Sequence, residues 1–143
     1  MSLTHAAARL CRTDAAAALR LLSTAPGLAR WNLGLWDTQL LPSGLLAGRS
    51  LFGGGAGLAR VHVDADLGVV KYEVGAKADG LQPRIEARVQ PGAELGYAPG
   101  QCLVSLLAWR PMQMDDERWQ RLVACHEVEI DLIRSCLEAQ GAA

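Results

Sequence analysis

The most constraining stretch of this sequence is its last quarter. From Asp115 onward, Trp119, Leu122, Val123, His126, Ile130, Ile133 and Leu137 recur at helical spacing, while Gln120, Asp131, Ser135 and Glu138 fall on the opposite side. Asp115 or Asp116 supplies an N-cap, Asp116 and Glu117 suit the positive end of the helix dipole, and Gly141 is expected beyond the finish. The pattern predicts one long amphipathic helix over about residues 115–140. A helix of that length with one apolar stripe must lie on something apolar.

The middle of the chain provides it. Val61 and Val63 alternate with Arg60, His62 and Asp64; Val70, Tyr72 and Val74 with Lys71 and Glu73; Ile85, Ala87 and Val89 with Arg84, Glu86 and Arg88. Arg49–Phe52 reads as a further strand, and Cys102–Arg110, apolar on both faces, as a central one. Turns at Pro42-Ser43-Gly44 and Asp66-Leu67-Gly68 make the connections short, which predicts an antiparallel sheet. Upstream, Leu3–Arg12 fits either a strand or a helix, and the strand is preferred because a helix start follows it. Thr13 is the expected cap of a helix over Ala15–Leu22, which Pro26-Gly27 ends before one more short turn, Leu28-Ala29-Arg30-Trp31, and an extended segment over Leu35–Leu41.

Composition removes whole classes of function. With half its 143 residues apolar, a fifth charged and a net charge of -1, the chain is neither disordered nor suited by charge to nucleic acid. No run reaches the eighteen apolar residues of a membrane span, which argues against stable membrane insertion. Cys11, Cys102, Cys125 and Cys136 are scattered, without zinc spacing or a secretory segment before them, and read as reduced thiols of a cytoplasmic protein. Gly53–Gly57 lacks the lysine and hydroxyl residue of a phosphate loop and reads as a hairpin loop at a pocket entrance. Aromatics are only 5% of the chain, yet four of them are Trp.

The order of elements is strand, two short helices, a run of antiparallel strands and a long closing helix. With Pro26-Gly27-Leu28-Ala29-Arg30-Trp31 leading into Leu35-Trp36-Asp37, and with the Trp119–Leu137 helix, it resembles the START-like (SRPBCC) superfamily. That resemblance implies an α+β helix-grip fold, a curved antiparallel sheet of about six to seven strands wrapped around the C-terminal helix, in one START-like domain over residues 1–143. It also implies a cavity for a small hydrophobic ligand such as a lipid, a polyketide or another aromatic or isoprenoid metabolite. The Cys and His pairs of a Rieske cluster are absent, and three histidines without a carboxylate at ligand spacing do not suggest iron, so neither a metal nor a cofactor is expected.

Placed on that fold, the candidate ligand-binding residues are Trp36, Tyr72, Trp109, Trp119, Val123, His126 and Ile130. The four Trp residues are large enough to serve as packing or as pocket walls. His126 lies within the apolar stripe, as a satisfied core histidine or as a cavity group; Glu127 and Glu129 flank the stripe, and Cys125 is expected to project away from it. Tyr72 points inward and needs a partner. Arg84, Glu86 and Arg88 read as a solvated outer face. Three functional readings follow. The first is ligand binding. The second is a polyketide cyclase/dehydrase-like enzyme with His126 and Tyr72 as candidate catalytic proton-transfer groups. The third is an interaction module with a vestigial cavity, in which Val128 and Leu132, on the polar side of the helix, mark a partner or homodimer surface.

Overall fold

A computed structural model describes residues 2–51 and 53–141. Seven strands form one antiparallel sheet: β1 (Thr4–Cys11), β2 (Trp36–Leu40), β3 (Leu46–Arg49), β4 (Ala56–Asp64), β5 (Val69–Gly75), β6 (Gln82–Pro91) and β7 (Cys102–Trp109). Their spatial order is β1-β7-β6-β5-β4-β3-β2, so only β1 is displaced from sequence order, and β7 is interior as its two apolar faces predict. Two short helices, α1 (Ala15–Ser23) and α2 (Ala25–Trp31), follow β1, and the long helix α3 (Asp116–Gly141) closes the chain. This is the expected α+β helix-grip architecture.

Local chemistry sets the element ends, with shifts from the sequence reading. The cap of α1 is Asp14 rather than Thr13: Asp14 is extended, and its carboxylate accepts from the Ala17 N–H at 2.7 Å. Asp115 caps α3 by accepting from the Arg118 N–H at 2.8 Å, and Gly141 lies inside the last turn rather than beyond it. The strand expected over Arg49–Phe52 is instead Leu46–Arg49; Phe52 lies outside the described residues. Val63 is exposed near the end of β4, where Ala59 is the buried residue.

The edge strand β1 runs alongside α3 and is tied to it by a His5–Glu127 hydrogen bond and by the ion pairs Arg9–Asp131 and, just past the strand, Arg12–Glu138, at 2.9, 2.9 and 3.3 Å. Such partly exposed pairs fix direction more than stability, at roughly 0–1 kcal/mol each. Before α3, Arg110 donates to the Met114 carbonyl and to Asp116, which fixes where the helix begins.

The main core lies where α1, α2 and the second half of α3 cover the inner sheet face. Leu22, Leu28, Val70, Ala87, Val104, Ile130, Ile133 and Leu137 are sealed there. Leu132 packs against this core, so it does not belong to an outward face with Val128, which is exposed.

Candidate functional site

The inner sheet face changes character along its strands. At one end Val70, Ala87, Val89, Cys102 and Val104 are filled in against helices. Toward the other end, β4 brings only Gly57 and Ala59 to this face, with Val74 beside Ala59 on β5, so little bulk meets the first half of α3. What remains is a cavity of about 820 Å³ between the sheet and α3. That volume falls within the range of small-molecule sites, roughly 300–1,000 Å³.

Its inner wall is apolar: Leu28, Trp31 and Leu35 on one side, Leu106 and Ile85 on the sheet, and Leu122 from α3. Trp31 is held by its indole N–H, which donates to the Leu21 carbonyl at 3.1 Å, and it meets Tyr72 edge-on at 6.4 Å between ring centroids. The rim carries Gly53, Gly55, Ala56, Gln82, Arg118, Arg121 and Glu117, all exposed. The Gly53–Gly57 hairpin loop thus lies along the opening.

Three buried polar side chains reach this cavity. Tyr72 donates its hydroxyl to the Leu22 carbonyl, and burial, then the neighbouring Glu129, pushes its pKa well above the ordinary phenol value. His126 is 3% exposed; its Nδ1 is sealed off with no hydrogen-bond partner. Burial, followed by the charge of nearby His5, lowers its pKa to about 4, against a smaller opposing pull from Glu127. The two rings meet edge-on at 5.9 Å between centroids. Glu129 is 5% exposed and accepts from the Leu33 N–H at 3.0 Å; burial raises its pKa to about 8, partly offset by that N–H. At neutral pH the interior polar groups are therefore an imidazole, a phenol and a carboxyl that is largely in its acid form.

Of the expected ligand-binding residues, Tyr72 and His126 share this cavity. Trp119 and Val123 instead line a second cleft of about 520 Å³ with Thr4, His5, Ala6 and Gln120. Ile130 is sealed in the core, and Trp36 and Trp109, each 39% exposed, line neither space. Cys125 faces the cavity rather than away from it, and burial, with Glu129, raises its pKa to about 11, which keeps the thiol protonated and unreactive.

Arg84 also differs from expectation. A bulge opposite Tyr72 and Glu73 breaks the alternation of β6, and Arg84, the extra residue, lines the cavity mouth. Cavity residues outside the expected ligand-binding set include Glu129, Trp31 and Leu106. Trp31 carried a signal in the Pro-to-Trp segment; Glu129 carried none. Among the described residues no cluster of three or more His, Cys, Asp or Glu is placed to hold a metal, and no helix is long and apolar enough to cross a membrane.

No protein-family profile matches the sequence, and no curated protein matches it significantly. Solved structures do match in shape. A START superfamily protein from Mycobacterium smegmatis superposes with a TM-score of 0.60 at 11% identity, over 96% of this chain and 95% of that one. The di-domain ARO/CYC BexL from the BE-7585A biosynthetic pathway gives 0.68 at 14% identity, over 94% of this chain and 46% of that one. The Aha1 dimer from Colwellia psychrerythraea gives 0.68 at 14% identity, over 96% and 97%. At such identities the likeness establishes the fold: the chain has a START-like fold.

Proposed function

We propose that this chain binds a small, largely apolar molecule in the cavity between its sheet and its long helix. One observation carries the reading: a space of about 820 Å³ whose inner wall is Leu, Ile and Trp and whose lining includes Tyr72, His126 and Glu129. An apolar enclosure with a few convergent polar groups is the usual make-up of a ligand site. The fold likeness to a START superfamily protein and to an ARO/CYC supports the same reading and leaves lipid, polyketide and isoprenoid-like ligands as the candidate classes. Four free cysteines suit a cytoplasmic setting, and the likeness to a dimeric protein is compatible with a homodimer.

The test uses the neutral fluorescent probe N-phenyl-1-naphthylamine, together with native mass spectrometry of the protein purified from its own host. We expect one probe per chain and at least about tenfold weaker binding in Ala59→Trp, whose indole would occupy the cavity; a loss of roughly 1.4 kcal/mol corresponds to that factor. Unchanged binding in a folded Ala59→Trp variant would remove the cavity from consideration and favour a vestigial one.

A second reading, a polyketide cyclase/dehydrase-like activity, draws on two observations: the likeness to the ARO/CYC, and His126 and Tyr72 on one cavity. Tyr72 already donates to Leu22, so any proton transfer through it requires that bond to be exchanged for one to substrate. Turnover of a poly-β-ketone lost in both His126→Gln and Tyr72→Phe would favour this reading; its persistence in both would sink it.

A further inference from the structure

His126 and Glu129 stand three residues apart on α3, so their side chains neighbour each other on one helix face, with β carbons about 5–6 Å apart. Both line the cavity, and both are more than nine-tenths buried. Each also has an unused polar atom. Neither ring nitrogen of His126 has a hydrogen-bond partner among the described residues, and Nε2, unlike the sealed Nδ1, is not closed off; the Glu129 carboxyl is engaged only through Oε2, with the Leu33 N–H, which leaves Oε1. Buried polar atoms are paired in the great majority of cases, and the desolvation of an unpaired one costs about 1–3 kcal/mol. His126 Nε2 and Glu129 Oε1, left unused side by side on one cavity wall, are arranged for a partner that the protein itself does not supply.

The chemistry of that partner follows from the donors. Oε2 accepts from Leu33, so the acid proton of Glu129 belongs on Oε1, the oxygen left to donate. A neutral imidazole adds one N–H and one lone pair. We infer that Glu129 and His126 form a paired anchor for an uncharged ligand oxygen, a carbonyl or hydroxyl carried on an apolar body. This rests on the binding reading above and narrows it to oxygenated neutral ligands. An anionic head group would find no cation at that depth: the arginines that line the cavity, Arg84, Arg118 and Arg121, stand at its mouth, and Arg121 is occupied by Glu117 at 2.8 Å. Support of Leu33 alone would not explain the pair, because that contact uses one oxygen of Glu129 and nothing of His126.

The test compares three probes of one shape by isothermal titration calorimetry at pH 6.5: naphthalene, 2-acetylnaphthalene and 2-naphthoate. The expected order places 2-acetylnaphthalene about tenfold tighter than naphthalene, the worth of one buried hydrogen bond, with 2-naphthoate weakest. Glu129→Gln, which retains an acceptor for Leu33 and a donor for the ligand, keeps the preference. Glu129→Met abolishes it, and His126→Leu reduces it. The wild-type order needs no variant, so it decides the matter even if Glu129→Met fails to fold. Equal affinities for naphthalene and 2-acetylnaphthalene would overturn the anchor but not the cavity. Tightest binding by 2-naphthoate would overturn it in favour of the arginine rim. Binding of none of the three would overturn the cavity reading along with it.

Discussion

The two halves of α3 belong to one helix with one continuous stripe, yet they meet different surroundings. In the second half Ile130, Ile133 and Leu137 are fully buried within the main core. In the first half the same face presents Leu122, Cys125, His126 and Glu129 to an open space of about 820 Å³. The difference comes from what lies opposite. Leu21, Leu22 and Leu28 of the two short helices fill the gap at one end, whereas Gly57 and Ala59 leave it open at the other. An amphipathic stripe therefore reports that a helix is covered, and the sizes of the residues facing it decide whether the cover is a core or a cavity.

Truncation should separate the halves most clearly. Ile133→Ala removes atoms from a close-packed region and is expected to cost about 3 kcal/mol. Leu122→Ala, on the open side, should cost about 1 kcal/mol or less, because a half-buried side chain loses less contact. Urea denaturation of the two variants checks this. Equal losses would mean that the first half is packed as tightly as the second.

Titration gives the next effect. Glu129 keeps its proton up to about pH 8 in the folded chain, against an ordinary 4.5. Its contribution is complete below 4.5 and is lost as pH rises toward 8. His126 has the opposite sign: it stays neutral down to about 4 against an ordinary 6.5, so its contribution is complete above 6.5 and is lost as pH falls toward 4. The two oppose each other between 4.5 and 6.5. Between 6.5 and 8 Glu129 acts without that opposition, and stability should fall by roughly 2 kcal/mol. Thermal denaturation across that window should show the fall in wild type and a flatter profile in Glu129→Gln; identical profiles would place Glu129 in water.

The smallest effect concerns His126 alone. Replacing a buried ring that has an unpaired nitrogen by an apolar side chain of similar size should stabilise the apo protein by about 1 kcal/mol in His126→Leu. Destabilisation of that size would make the ring a structural element rather than a group reserved for a ligand.

The architecture was legible from the sequence because helix and strand periods are local: the stripe from Trp119 to Leu137 and the alternations through Val70–Val74 and Ile85–Val89 each need only their own segment. The site was legible only in part. His126 and Tyr72 were singled out because a polar group on an apolar face is conspicuous. Glu129 was not, since a glutamate beside a stripe normally reads as surface, and its burial depends on the Leu33 N–H, 96 residues away in sequence. Arg84 was assigned to the outer face because the bulge that turns it toward the cavity mouth leaves no mark in the pattern. Tertiary contacts decide these positions, and no window of neighbouring residues contains them.

The central claim is that the first half of α3 faces a ligand and the second half faces a core. An amide NMR titration with 2-acetylnaphthalene tests it directly. The account predicts shifts at Leu33, Ala59, Leu106, Cys125, His126 and Glu129, with Ile133, Leu137 and Val104 unchanged. Shifts centred on Trp36 and Trp109, or none at saturating probe, would contradict it.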